Sequence, residues 1–325
     1  MTSLQPIEIN LTAVVMAVHQ DQPVVYASSL GDNLPLGLPS GPFDPVNHRT
    51  LELGLRGFAQ DQAGLDLDYV EQLYTFGDRG RNLIDASPSD GFGAPHIVSI
   101  GYLALTRIFP GATERTNFQP LYTSFPWEDW RGSRPAVLDR DILPALARWS
   151  EEAETDTGNP DRRALSRRER IALHFGTEGL PFDEEKVLER YELLYDAGLV
   201  EEGSRDRRKP TPVAALKLGK AMAFDHRRIL ATALGRIRGK LKYRPVIFEM
   251  MPESFTLTDL QRKVEAISGQ HLHKQNFRRL VETGGLVEST GEQTNTGGRP
   301  AALFRFRREV LTERPAPGLR LGRSG

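Results

Sequence analysis

The chain has 325 residues and a formal net charge of −1, with 42 Lys/Arg against 43 Asp/Glu, and this length is typical of two domains or slightly more. It has no cysteine, which excludes disulfides, thiolate metal sites and cysteine nucleophiles. The N-terminus lacks a signal-peptide pattern and no segment approaches ~18 uninterrupted apolar residues, so we expect a cytoplasmic protein with no membrane partner.

The N-terminal third is predicted to form a compact mixed α/β domain. Residues 10–20 and 24–28 have the apolar pattern of two strands joined by a tight turn. A Pro/Gly-rich loop leads to a helix at residues 50–63. Further strands are expected at residues 70–76 and 96–108.

The middle of the chain is predicted to be an inserted, mostly helical region used for packing or dimerisation. Helices are expected at residues 138–154, 166–175 and 183–196. The aromatic side chains of residues 117–130 are interpreted as core rather than as the lining of a pocket. The basic run at residues 205–209 is interpreted as a solvated linker.

One long helix is predicted at residues 217–242, where apolar residues recur at helical spacing. It would connect the N-terminal domain to the C-terminal part. Asp225 and His226 lie on it and invite a metal or acid–base interpretation. Such a pair on a helix is usually surface charge, and that is the interpretation adopted.

The C-terminal part has the order of a winged helix-turn-helix. Thr256 is a predicted N-cap, and Gly269 ends the helix that it starts. A second helix follows with Phe277 and Val281 on one face, and a two-stranded ribbon comes after it. Residues 226–308 contain 16 Lys/Arg and 7 Asp/Glu, which leaves the first 225 residues near −11. This asymmetry is typical of a nucleic-acid-binding unit attached to another domain.

The outward face of the second helix supplies candidate DNA-binding residues. Arg and Gln side chains there can form paired hydrogen bonds to guanine or adenine edges in the major groove. Arg299, in the Gly-rich turn of the ribbon, could reach a phosphate or the minor groove. The candidates are Lys274, Gln275, Asn276, Arg278, Arg279 and Arg299. The alternative is a winged helix that contacts only other proteins, with these charges forming a solvated face.

Two groups of motifs carry a resemblance to a known family. The motifs QLYTFGD and VSIGYLAL, with the preceding strand, loop and helix, resemble a Nudix domain of the ADP-ribose-recognising type. The motifs AFDHRRIL, FTLTDLQ, NFRRL and GGRPA resemble the Nudix-related transcriptional regulators of bacterial NAD metabolism, the NrtR and NadQ groups. The resemblance covers about residues 8–110 and 220–308.

The resemblance implies an α+β fold with four parts. A degenerate Nudix-like α/β sensor domain would span residues 1–110 and be completed by the helix at about 217–242. Residues 111–216 would be the inserted helical region, and residues 243–308 the winged helix-turn-helix. Residues 309–325 are rich in Pro, Gly and Arg and are predicted to be a disordered tail.

The predicted Nudix helix departs from the pattern of the enzymes. A catalytic helix carries Arg-Glu-x-x-Glu-Glu before its glycine, which holds Mg²⁺ against a pyrophosphate. Read backward from Gly64, those positions hold Gly57 for the arginine and Phe58, Asp61 and Gln62 for the carboxylates. One carboxylate of three remains, so we predict no hydrolysis, no catalytic residue, no metal site and no cofactor.

A Nudix fold without catalytic acids could still bind a nucleotide. Arg79 and Arg81 have the reach and charge to bind a phosphate. They could equally be part of a solvated loop in which Asp78 and Asp85 pair with them. By the resemblance, the ligand would be an adenine nucleotide such as ADP-ribose, NAD or ATP.

These predictions together indicate a homodimeric transcriptional repressor of NAD biosynthesis genes that binds a double-stranded DNA operator and an adenine-nucleotide effector. The alternative is a Nudix hydrolase of ADP-ribose-like substrates with a nucleic-acid-binding appendage. Its metal ligands would have to come from loops, because Glu52 points roughly opposite to Asp61 on the helix.

Overall fold

The computed structural model describes residues 6–32, 34–78, 80–81, 95–108, 117–152, 165–207, 218–295 and 300–313. The predictions made for Arg79, Asp85 and Arg299, and for the tail beyond residue 313, lie outside the described residues.

A mixed sheet organises the N-terminal part of the chain. Its strands are β1 (Ile7–His19), β2 (Gln22–Tyr26), β3 (Ser40–Pro42), β4 (Tyr69–Phe76), β5 (His96–Leu105) and β6 (Phe118–Pro120). They lie in the order β4-β5-β1-β2-β6, and β3 also pairs with β1. Strands β1 and β5 are parallel, with Met16 opposite Leu105, and the other pairs are antiparallel. Because β1 is central and covered on both faces, its residues from 11 to 18 are all buried.

Helix α1 (Leu51–Ala63) covers one face of the sheet. Leu55 and Ala59 of α1 belong to the same buried cluster as Leu11 of β1. The Thr50 side chain accepts a hydrogen bond from the first turn, and the helix ends at a glycine in the left-handed conformation. These local signals are present in the sequence, and the predicted helix is confirmed.

The larger core lies on the opposite face of the sheet. There α6 (His226–Tyr243) packs with four helices, α2 (Leu143–Glu151), α3 (Arg167–Phe175), α4 (Val187–Asp196) and α5 (Glu201–Arg207). Phe125 and Trp127 are fully buried within this core. The interpretation of the aromatic residues at 117–130 as core is therefore confirmed.

The prediction of a helix at residues 217–242 is wrong at its N-terminal end, because α6 begins at His226. Phe224, two residues before the start of α6, has a φ of 51°, which is not compatible with a right-handed helix. Asp225 and His226 are only 5% and 4% exposed, so their interpretation as surface charge is also wrong. The His226 Nδ1 accepts a hydrogen bond of 3.0 Å from the backbone N–H of Leu38, which compensates for its burial.

Two other local predictions need correction. The helix expected at residues 138–154 is a π-helical turn at Leu138–Ile142 followed by α2, which ends at Glu151. Pro144 has no N–H to continue the α-helical hydrogen bonds, so the pattern changes next to it. The solvated linker expected at residues 205–209 is wrong for Arg205, which lies in α5 and donates to the carbonyls of Met222 and Phe224 at 3.0 and 2.7 Å.

The C-terminal part is the predicted winged helix. It consists of a 3₁₀ turn at Val246–Met250, then α7 (Leu257–Ser268), α8 (Lys274–Gly284), β7 (Val287–Thr294), β8 (Ala301–Phe306) and α9 (Val310–Glu313). Thr256 and Asp259 form the capping box of α7. Phe255 exchanges two backbone hydrogen bonds with Phe304, which attaches the start of α7 to the ribbon. Within the described ranges, no helix is long and apolar enough to cross a membrane.

Candidate nucleic-acid interface and sensor site

Helix α8 is held by its apolar face and presents its polar face to solvent. Phe277 and Val281 are buried, which is the pattern predicted from their spacing. The helix begins after His273 without a side-chain cap, so its first backbone N–H groups are available to an anion such as a phosphate.

Five of the predicted DNA-binding residues lie together on the N-terminal half of α8. Lys274, Gln275, Asn276, Arg278 and Arg279 are all exposed. Their side chains make no hydrogen bond or ion pair within the described part of the chain. In helix-turn-helix proteins, the N-terminal residues of the second helix contact base edges. The arrangement can therefore supply donors to DNA without breaking an existing interaction.

The turn between α7 and α8 is fixed by hydrogen bonds within the winged helix. The Glu265 carboxylate accepts from the backbone N–H of Leu272 at 2.8 Å, and the Gln261 amide donates to the Leu272 carbonyl at 2.7 Å. The ribbon is joined to the end of α8 by Arg307, which donates to the carbonyl of Gly285 at 3.1 Å. These contacts give α8 a defined orientation relative to α7 and the ribbon.

The structure places Arg81, a candidate for phosphate binding, in an ion-pair cluster. Its guanidinium donates to the Glu192 carboxylate at 2.7 and 3.1 Å, lies 3.7 Å from Asp225 and stacks on the Tyr195 ring at 3.8 Å. The side chain is 12% exposed. Because Glu192 binds both terminal nitrogens of the guanidinium, an anionic ligand at those nitrogens would compete with this carboxylate.

Arg228 is the second cation of this cluster. It pairs with Glu192 at 2.6 Å, with Asp225 at 3.2 Å and with Asp78. Burial raises the pKa of Asp225 to about 7, although Arg228 and Arg81 act to lower it. The cluster connects the end of β4 to α4 and to the beginning of α6.

Two of the three positions of α1 that would carry metal ligands in a Nudix enzyme are engaged in contacts with β3. The Gln62 side-chain amide accepts from the Ser40 N–H at 3.0 Å and donates to the Ser40 carbonyl at 2.7 Å. The Phe58 ring packs so closely on Gly41 that a Cβ there would lie 2.5 Å from it. Asp61 is exposed. Among the described residues, no group of three or more His, Asp or Glu side chains is placed to hold a metal ion.

Comparison with known proteins agrees with this arrangement. Residues 247–306 match the family described as the NrtR DNA-binding winged helix domain. Crystal structures of Shewanella oneidensis NrtR, with a 27mer DNA and alone, both superpose with a TM-score of 0.52. The first is 18% identical and aligned over 94% of this chain and 95% of that one, and the second is 19% identical over 93% and 95%. The C-terminal winged helix is thus similar to the NrtR DNA-binding domain, and the chain as a whole shares the fold of these structures.

A curated protein with a similar segment is the ADPR responsive transcriptional repressor NtrR of Acinetobacter baylyi. The two are 44% identical over 92 residues. The match covers 28% of this chain and 36% of the repressor's length.

The structure also contains a buried charged cluster that is not among the sites predicted from the sequence. Glu128, Arg190 and Arg238 lie together with 0%, 0% and 1% exposure. A signal for Arg238 exists in the sequence, because it falls at helical spacing on the inward apolar stripe with Leu234 and Leu241. Nothing local indicates that Glu128, 110 residues away, is its partner.

Proposed function

We propose that the chain is a DNA-binding transcriptional repressor whose Nudix-like part senses an adenine nucleotide such as ADP-ribose, NAD or ATP. The observation that carries this proposal is a set of five exposed polar and basic side chains on the N-terminal half of α8, which have no hydrogen-bond or ion-pair partner among the described residues. They lie on a winged helix that matches the NrtR DNA-binding domain. By the family resemblance, the regulated genes are those of NAD biosynthesis, and the protein acts in the cytoplasm.

The sensing role draws support from the matched repressor, which is described as ADPR responsive. A non-catalytic role is supported by α1, where Gln62 is engaged by the backbone of Ser40 and Phe58 packs on Gly41. Divalent cations such as Mg²⁺ need several oxygen ligands, and Asp61 is the single carboxylate left at these positions. We assign no metal or cofactor to the protein.

Regulation follows from thermodynamic linkage. A nucleotide that binds more tightly to a form unable to bind DNA lowers DNA affinity by the same coupling, typically about 1–3 kcal/mol. A homodimer would place two α8 helices on half-sites about 34–36 Å apart. The ligand would bind Arg81 in competition with Glu192, and Arg79, two residues earlier in the sequence, is the second candidate for phosphate binding.

The proposal is tested by fluorescence anisotropy with labelled duplexes from upstream of the protein's own gene and of NAD synthesis genes. We expect selective binding that ADP-ribose, NAD or ATP weakens. Lys274→Ala should weaken all duplexes alike and reduce the salt slope by about one unit. Arg168→Ala is the matched control, because its side chain is 76% exposed on α3, outside the winged helix. Binding without sequence preference under every condition would reject the repressor role.

The hydrolase alternative requires its own assay. Release of AMP from ADP-ribose is measured with Mg²⁺ and with EDTA, using wild type and Asp61→Ala. We expect no turnover above the EDTA level in either protein. Turnover that requires both Mg²⁺ and Asp61 would establish the enzyme instead.

A further inference from the structure

The C-terminal end of α7 is held by side chains from outside the winged helix. The Tyr122 hydroxyl donates to the carbonyl of Ala266 at 2.7 Å, and Arg238 Nε donates to the carbonyl of Ile267 at 3.1 Å. Two residues further along the chain, the backbone N–H of Trp130 donates to the carbonyl of Gly269 at 2.7 Å. Three carbonyls within four residues are thus bound by groups from outside the winged helix.

These contacts satisfy groups that a helix cannot satisfy by itself. The last four carbonyls of an α-helix lack intrahelical partners, and a cation near them is favoured by the helix dipole. At the end of α7 these roles belong to Tyr122 and Arg238. Helix α8 begins at Lys274, so residues 269–273 alone separate it from the attached end. The contact between the end of α7 and the core therefore also fixes the orientation of α8 relative to the core.

Arg238 is itself held rigidly. It donates to the Glu128 carboxylate at 2.7 Å and to the carbonyls of Glu128 and Glu184 at 3.0 Å each. Arg190 binds both oxygens of the same carboxylate, at 2.6 and 2.9 Å. Burial opposes the charge on Glu128, but the two guanidinium groups hold its pKa below the ordinary value. The cluster keeps one positive charge in excess, and it faces the negative end of α7.

The approach of the two parts is close enough to require glycine. Gly269 ends α7 with a φ of 72°. A Cβ at this position would lie 2.4 Å from the carbonyl oxygen of Glu128 and 2.6 Å from Arg238 Nη2. The joint formed by Tyr122, Glu128, Arg238 and Gly269 is packed without space for a side chain.

We propose that Tyr122 and Arg238 are positioning residues for DNA recognition, which set the orientation of α8 by holding the end of α7. This inference rests on the proposed function. Helix α6 carries Arg228 of the Arg81 cluster near its beginning and Arg238 of the joint near its end. A change at the Arg81 cluster would therefore reach the recognition helix α8 through α6 and this joint.

The test compares Tyr122→Phe with the matched control Tyr26→Phe. The Tyr26 hydroxyl also donates to a helix C-terminal carbonyl, that of Gln62 at 2.7 Å, but on the opposite face of the sheet. The probes are a duplex enriched by the wild-type chain from a random pool and a scrambled duplex of equal length. We expect Tyr122→Phe to lower the ratio of the two affinities by about fivefold, equivalent to about 1 kcal/mol. Tyr26→Phe should leave the ratio within about twofold, while both variants lose similar thermal stability.

Hydrogen exchange distinguishes a local change next to the joint from a uniform loss of stability, because it is measured amide by amide. We expect faster exchange of the amides of residues 270–277 in Tyr122→Phe than in Tyr26→Phe. An unchanged affinity ratio together with unchanged exchange would overturn the positioning role while leaving the proposed function intact. A wild-type chain that enriches no sequence would overturn the proposed function, and the positioning role with it.

Discussion

The buried carboxylate of Glu128 allows a quantitative prediction for Glu128→Gln. It accepts three charge-assisted hydrogen bonds, at 2.6, 2.9 and 2.7 Å, from Arg190 and Arg238. One of the two carboxylate oxygens accepts a single bond, from Arg190 Nε, and the other accepts two. The glutamine amide has the same shape but one acceptor oxygen, so in its better orientation it keeps two bonds, loses one and turns its NH₂ group toward Arg190 Nε–H. At about 1.5–3 kcal/mol for the lost bond, the expected loss is at least about 1.5–3 kcal/mol, to which the uncompensated charge of the two arginines adds. Removal of one partner from other buried ion pairs costs about 3–5 kcal/mol.

The loss is measured by urea unfolding followed by tryptophan fluorescence. Trp127 and Trp130 are close to Glu128 in the sequence and pack in the larger core, so their fluorescence reports its unfolding. The matched control is Glu178→Gln, whose carboxylate pairs with Arg168 at 2.8 Å while 51% exposed. The control should lose less than about 1 kcal/mol. If Glu128→Gln unfolds at nearly the same urea concentration as the control, the reasoning about uncompensated buried charge is refuted.

Three other predictions concern the interface, the joint and pH. Arg279→Ala should cost about 1–3 kcal/mol at one operator position, seen as relaxed base preference there, and equal loss on every sequence would remove it from base reading. Gly269→Ala should lower the thermal midpoint far more than Gly64→Ala, because both have positive φ but only the first would place its Cβ 2.4 Å from a backbone oxygen. Burial lowers the pKa of His226 to about 3, so between that value and ~6.5 the unfolded chain binds a proton that the native state does not. On acidification from pH 7.5 to 5, wild type should therefore lose more free energy of unfolding than His226→Gln, by up to about 1.4 kcal/mol per pH unit below ~6.5. Urea unfolding at each pH measures this, and an equal loss in the two proteins would contradict it.

The elements that sequence analysis predicted well are those whose signals are local. Thr256 and Asp259 form the predicted capping box, and Gly269 ends α7 in the left-handed conformation. Phe277 and Val281 are buried at their predicted helical spacing. A cap, a stop and an apolar stripe each depend on residues within one or two turns, so a single sequence carries them.

The predictions that failed depend on which segments meet in space. The sequence predicts that Arg205 belongs to a solvated linker, yet it donates to two carbonyls 17 and 19 residues away. His226 was interpreted as surface charge, yet its partner Leu38 is 188 residues away. Polarity marks a residue as costly to bury, but a long-range partner that compensates that cost has no local signature.

The winged helix and the outward polar face of α8 follow from the sequence alone, because periodicity and capping act between neighbouring residues. The sequence also shows that α1 lacks two of the three metal-binding carboxylates. The pairing of Arg81 with Glu192, and the binding of Glu128 by two arginines beneath the end of α7, are visible in the folded structure alone. Ion pairs form between whichever charged groups packing brings within about 4 Å, and that distance is set by the whole fold rather than by spacing along the chain.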